Sequence, residues 1–163
     1  MKKTMALVTR LALGLLFVAA SAWPVQPVTV CFRNPHLVSP TVLNFTIHAL
    51  KRYQNQFATE LRFSCQAPNP VIVTFREAPP QGRPADALGA TRVLNGRILP
   101  DIEIYRLSVR QMLRDPGDLA EGRALATVTA HELHHYLWQQ PLHEPSGLRS
   151  ELLTAQNLIR GFH

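Results

Sequence analysis

The chain has 163 residues, of which 46% are hydrophobic and 17% are charged, and its formal net charge is +6. This length and composition suit one domain with its own hydrophobic core. The basic residues are scattered and no basic run alternates with aromatic residues, so the positive charge does not indicate a nucleic-acid partner.

Residues 1–22 have the features of a secretory signal peptide. Three basic residues flank or precede an apolar run, Leu11 to Ala20, that is too short to cross a bilayer, and Ala20-Ser21-Ala22 offers a cleavage site. Cleavage there would leave residues 23–163 as one domain and lower the net charge from +6 to +3, because no acid is removed. We therefore expect a secreted or periplasmic protein with no stable membrane anchor after cleavage; the alternative is an uncleaved anchor.

Cys31 and Cys65 are the only two cysteines. In an exported chain, such a pair predicts a disulfide bond. The bond would close a loop of about 34 residues and contribute on the order of 3–4 kcal/mol in the chain-entropy model. The alternative is an unpaired thiolate that binds a metal ion.

The first half of the chain contains strand and helix patterns in turn. Val28–Phe32 and Val71–Phe75 are rich in β-branched residues and predict strands. Between them, Ser39-Pro40 predicts a helix start, with serine as the N-cap and proline at the first helical position. Apolar residues at helical spacing extend this helix to about Ala58.

The next segment predicts a loop, a hairpin and a short helix. Residues Ala78 to Pro84 contain three prolines and a glycine, which predict a loop. Asn95-Gly96 predicts a tight turn between Thr91–Leu94 and Ile98. Polar and apolar residues then alternate over Asp101–Tyr105, as in a strand with one wet face, and Leu107 to Leu113 predicts a short helix.

A long helix is predicted from Asp118 to about Gln139. Asp118 with Glu121 three residues later is typical of a capping box, and Pro141 must end the helix. Ser150 predicts the cap of a last helix, Glu151 to Ile159. This order of elements predicts an α+β domain: a small mixed sheet with the long helix and a second long helix packed on it.

His131-Glu132-Leu133-His134-His135 lies within the predicted long helix. Residues four apart share a helix face, so His131 and His135 can reach one metal ion. Glu132 lies near the edge of that face, where a carboxylate can take a proton from an attacking water without binding the metal. The alternative is an amphipathic helix whose histidines are packed or solvated.

A third imidazole follows where the predicted helix ends. His143 comes after Pro141, so the chain can fold back and bring this side chain to the first two histidines. We therefore predict a Zn²⁺ ion held by His131, His135 and His143, with Glu144 or Glu151 as alternatives for the third ligand.

The pattern His131-Glu132-x-x-His135-x7-His143 resembles the zincin superfamily of zinc metallopeptidases, and its metzincin branch in particular. Trp138 stands where metzincins have a glycine, Pro141 where they have the third histidine, and their Met-turn methionine is absent. With its flanking residues, the segment 118–148 is more similar to short secreted bacterial zincin-like proteins. The resemblance implies a zincin-like domain with extended peptides along an edge strand, for which Ala90–Leu94 is our candidate.

The expected function is a secreted zinc-dependent metallopeptidase that hydrolyses bonds of a peptide or protein substrate, with Glu132 as the base. The group that stabilises the oxyanion is left open among Tyr105, His134 and Tyr136, which qualify by residue type alone. Two other hypotheses remain: a zincin-fold interaction module that binds zinc without significant turnover, and a disulfide-bonded domain without metal.

Overall fold

The computed structural model describes residues 26–144, 146–150 and 153–161. Five strands are present in these ranges: β1 Val28–Arg33, β2 Leu61–Phe63, β3 Val71–Arg76, β4 Gly89–Leu94 and β5 Arg97–Tyr105. The helices are α1 Pro40–Leu50, α2 Gln54–Phe57, α3 Arg106–Leu113, α4 Asp118–Trp138 and α5 Ala155–Arg160. The predicted signal peptide at 1–22 and the alternative ligand Glu151 lie outside the described residues.

The strands form one mixed sheet in the order β2-β1-β3-β5-β4. Strands β2, β1, β3 and β5 are parallel to one another, whereas β4 runs antiparallel to β5 at one edge. Asn95 and Gly96 join this antiparallel pair with positive φ angles of 51° and 75°, which suit a two-residue hairpin turn. The predicted tight turn and the predicted edge strand at Ala90–Leu94 are therefore both confirmed. The predicted α+β class with a mixed sheet is confirmed as well.

The three-residue strand β2 was not predicted, because three residues contain too little of an alternating pattern to be recognised. It pairs in parallel with β1 at the other edge of the sheet. Cys31 in β1 and Cys65, just after β2, form the predicted disulfide bond, with their Cα atoms 4.6 Å apart. This bond excludes the alternative of a free thiolate on the metal.

Helix α1 begins as predicted. The Ser39 side chain accepts a hydrogen bond from the Val42 N–H, and Pro40 occupies the first helical turn. The helical path continues through a 3-10 turn into α2 and ends at Ala58, whose φ is +50°. Helix α1 packs against α4 so closely that a Cβ at Gly122 would lie 2.5 Å from the Cβ of Phe45. Glycine at this position therefore sets the spacing of the helix pair.

Helix α4 covers the predicted range, but its N-terminus is capped differently from the prediction. Gly117 is the N-cap and no side chain caps the helix. Glu121, which the sequence predicted as part of a capping box, is instead 1% exposed and accepts hydrogen bonds from Arg106 Nε at 2.6 Å and Arg110 Nη1 at 2.5 Å. Two guanidinium groups compensate its burial, so this carboxylate joins α3 to α4.

The last helix also begins later than predicted. Thr154, and not Ser150, is the N-cap of α5, and it forms a capping box with Asn157. Ser150 instead ends a 3-10 turn, Gly147–Arg149, in an extended conformation. None of the helices within the described ranges combines the length and the apolar character that crossing a bilayer would require.

Candidate metal centre

Three imidazoles meet at the C-terminal part of α4. His131 and His135 lie one turn apart on α4, and His143 reaches them from the segment that follows the helix end at Gln139. Their Nε2 atoms form a triangle: 3.1 Å from His131 to His135, 3.2 Å from His135 to His143 and 3.3 Å from His143 to His131. These three side chains could hold a metal ion.

Backbone carbonyls orient two of the rings. The Nδ1 atoms of His131 and His135 lie 2.6 Å from the carbonyl oxygens of Leu148 and Gln140. Because a carbonyl oxygen only accepts, each Nδ1 must carry the proton, and in the neutral ring Nε2 then has a free lone pair. Two such lone pairs face each other at 3.1 Å, an arrangement that a cation between them would stabilise.

The charge state of His131 also suits metal binding. Burial lowers its pKa to about 4, and the neighbouring imidazoles add to this effect, whereas the hydrogen bond to the Leu148 carbonyl opposes it. The ring is therefore neutral near pH 7. Neutral imidazole is the form that donates a lone pair to a metal ion.

His143, and not Glu144, completes the cluster of donor atoms. Within the described part of the chain, the donor atoms close enough to share one ion belong to the three histidines. Glu144 instead forms an isolated parallel bridge with Ser150 through its backbone. Pro141 and the left-handed residue Gln139, with φ of +51°, turn the chain back so that His143 faces α4.

Glu132 points to the edge strand of the sheet. Its Oε2 accepts a hydrogen bond of 2.5 Å from the Thr91 hydroxyl on β4, and only 7% of Glu132 is exposed. A Cβ at Gly89, also on β4, would lie 3.1 Å from the other carboxylate oxygen, so glycine permits this close approach. Burial raises the pKa of Glu132, while the Thr91 hydrogen bond and the charges of His135 and Arg83 oppose the rise.

A cavity of about 550 Å³ opens over the histidines and Glu132. One wall is the edge strand, including Thr91, and another is the proline-rich loop that carries Arg83 and Asp86. The sequence predicted a loop and an edge strand for the substrate here, but not that Arg83 would line the cavity or that Thr91 would bind Glu132. No local pattern marks either residue, because the contacts form only when the sheet assembles.

The three oxyanion candidates chosen by residue type do not line this cavity. Tyr105 is fully buried and donates a hydrogen bond of 2.9 Å to Glu103, and burial raises its pKa well above the usual range. His134 is buried and stacks on Trp138 with 4.4 Å between ring centroids. Arg83, by contrast, lines the cavity and is exposed.

Comparison with family models, curated proteins and solved structures finds no match to this chain. The chemistry of the site is therefore inferred from its own residues.

Proposed function

We propose that the chain is an exported zinc metallopeptidase with a zincin-like domain. The observation that carries this proposal is the juxtaposition of three imidazole Nε2 atoms with a buried glutamate that adjoins an edge strand. A zincin-type hydrolase requires metal ligands, a base and a surface for an extended peptide. This chain has residues suited to each of these requirements in one cavity.

The spacing of the three nitrogen atoms fits zinc. In a tetrahedral site with zinc–nitrogen bonds of 2.0–2.1 Å, neighbouring nitrogens are separated by roughly 3.3 Å. The Nε2 atoms here are separated by 3.1–3.3 Å. Imidazole ligands favour zinc over magnesium or calcium, and three protein ligands leave one position open, as in catalytic sites. When bound, zinc would lower the pKa of a water molecule and polarise a substrate carbonyl.

Glu132 is the residue we assign as the general base. It would take a proton from the attacking water and return it to the leaving amine. A zinc site with a purely structural role has no need of a base at this position. Thr91 fixes one carboxylate oxygen through its hydroxyl, which limits the orientations that Glu132 can adopt.

The edge strand β4 provides a surface for the substrate. Since β4 pairs with β5 on one side only, its outer backbone groups have no partner within the sheet. An extended peptide can add to this edge as a further strand, and its carbonyl would then lie between β4 and the histidine cluster. Arg83 on the opposite loop could donate hydrogen bonds to the carbonyl oxygen as negative charge develops.

One observation favours an alternative, a zinc-binding interaction module of the same fold without significant turnover. The short hydrogen bond from Thr91 engages the carboxylate that would otherwise contact water. In such a module Glu132 would join α4 to the sheet edge rather than transfer a proton. Catalytic turnover, rather than zinc content, therefore distinguishes the two functions.

We expect the zinc-loaded protein to cleave an unstructured protein substrate and an extended peptide library. Removal of zinc by a chelator should abolish cleavage, and addition of zinc should restore it, because the metal supplies the Lewis acid. Mass spectrometry of the products would measure both effects. A protein that retains one equivalent of zinc but cleaves no member of the library would support the interaction module instead.

Replacing Thr91 by valine should lower kcat about 10–100-fold and leave zinc content and KM nearly unchanged. The reason is that a hydrogen bond to a charged group contributes about 1.5–3 kcal/mol, and without this bond Glu132 is held less firmly in the orientation for proton transfer. Thr91→Ser retains the hydroxyl and is the matched control, so its kcat should remain close to that of the wild type. Equal kcat for Thr91→Val and the wild type would show that this hydrogen bond does not position the base.

A further inference from the structure

A second cavity, of about 250 Å³, lies on another part of the domain. Residues of α1, α2, α4 and α5 surround it, and it shares no lining residue with the cavity over the histidines. Three arginines line it: Arg52, Arg123 and Arg160. No aspartate or glutamate is among the described residues that line it, so the described lining carries three positive charges and no negative one.

None of these three arginines forms an ion pair with a carboxylate within the described ranges, unlike Arg62, Arg76, Arg92, Arg106 and Arg110. The exposed Arg33 forms none either, but it lines neither of the two cavities. The Nε atom of Arg123 is, in addition, buried without a hydrogen-bond partner in the described part of the chain. A buried donor with no acceptor is costly, so the guanidinium group of Arg123, a lining residue of the cavity, is incompletely hydrogen-bonded.

Two lining residues of the cavity, Thr127 and Tyr53, are held in place by hydrogen bonds. The Thr127 hydroxyl lies 3.0 Å from the Leu158 carbonyl of α5 and 2.9 Å from the Tyr53 hydroxyl. Either hydroxyl can be the donor of the bond between Thr127 and Tyr53. These bonds join α4, α5 and the 3-10 turn that precedes α2. The cavity is therefore formed before any ligand arrives, which reduces the entropic cost of binding.

We propose that this three-arginine cavity is a binding site for a small oxyanion, either a phosphate monoester or a carboxylate of similar size. Guanidinium groups bind both through paired N–H donors, and the exposed Asn55 adds an amide to the lining of the cavity. A volume of about 250 Å³ is below the usual range for drug-sized ligands, which points to a small anion rather than a polymer. This proposal does not depend on the zinc site or on peptidase activity.

Calorimetric titration of the zinc-loaded protein with inorganic phosphate, and separately with malonate, tests this site. Ionic strength is held constant with chloride, since general screening would otherwise imitate binding. We expect one saturable site and a rise in Tm for at least one of the two anions. Tighter binding of phosphate would indicate a phosphate monoester as the ligand, and tighter binding of malonate would indicate a carboxylate.

Variants of the arginines complete the test. Arg123→Gln and Arg160→Gln should each weaken anion binding about tenfold or more, because each removes a charge-assisted hydrogen bond. Arg52→Gln, at an exposed position, provides the same test if the half-buried Arg123 does not tolerate substitution. Arg33→Gln is the matched control, since Arg33 is exposed and lines neither cavity. The absence of saturable binding, or equal weakening in Arg33→Gln, would overturn the proposal.

Discussion

Glu132→Gln should bind zinc as tightly as the wild type and hydrolyse peptides about 10²–10⁴-fold more slowly, the usual contribution of general acid–base catalysis. Glutamine has nearly the same size as glutamate, and its amide oxygen can still accept the hydrogen bond from Thr91. The three imidazoles are unchanged. The substitution therefore removes the base and little else, so kcat should fall while the fold and the metal remain.

Glu144→Gln is the matched control for this experiment. Glu144 is next to His143 in sequence, but it does not belong to the cluster of donor atoms. Glu144→Gln removes the same negative charge near the site. If Glu144→Gln changes kcat only slightly, the lower kcat of Glu132→Gln is due to lost proton transfer rather than to lost charge. If Glu132→Gln were as active as the wild type, Glu132 would not be the base. If the zinc-loaded wild type were itself inactive, the interaction module would be the better description.

The elements that the sequence predicted well are those with a local physical signal. Ser39-Pro40 caps a helix through its own side chain and ring geometry, and Asn95-Gly96 turns the chain because both residues tolerate positive φ. The histidine cluster belongs to the same class. A helix places His131 and His135 on one face whatever surrounds it, and Pro141 forces the turn that allows His143 to return.

The elements that the sequence could not predict depend on distant contacts. Thr91 and Glu132 are separated by 41 positions, and only the order of strands in the sheet brings them together. The three-arginine cavity likewise combines residues from separate helices. Glu121 illustrates a different difficulty. A glutamate three residues after a possible N-cap has the sequence pattern of a capping box. The same pattern occurs when that glutamate instead pairs with a distant arginine, as Glu121 does with Arg106.

His143→Ala should weaken zinc binding by more than about 100-fold. Loss of a group that only orients a metal ligand already costs about 10–100-fold in affinity, and His143 would donate to the metal directly. His143 is also the one histidine of the cluster that lies outside α4, so its removal leaves the helix and its packing intact. The loss should therefore appear in the affinity for zinc rather than in the folding of the apo protein.

Competition with a chromogenic zinc chelator would measure this affinity, and the rise in Tm on zinc addition would report it independently, because ligand binding stabilises the folded state by mass action. His48→Ala is the matched control, since His48 is exposed on α1 and outside the cluster. It should bind zinc as the wild type does. If His143→Ala also retained wild-type affinity, the third ligand would have to be Glu144 or Glu151. The pair His131 and His135 would then still hold the metal, and Glu132 would keep its place beside it.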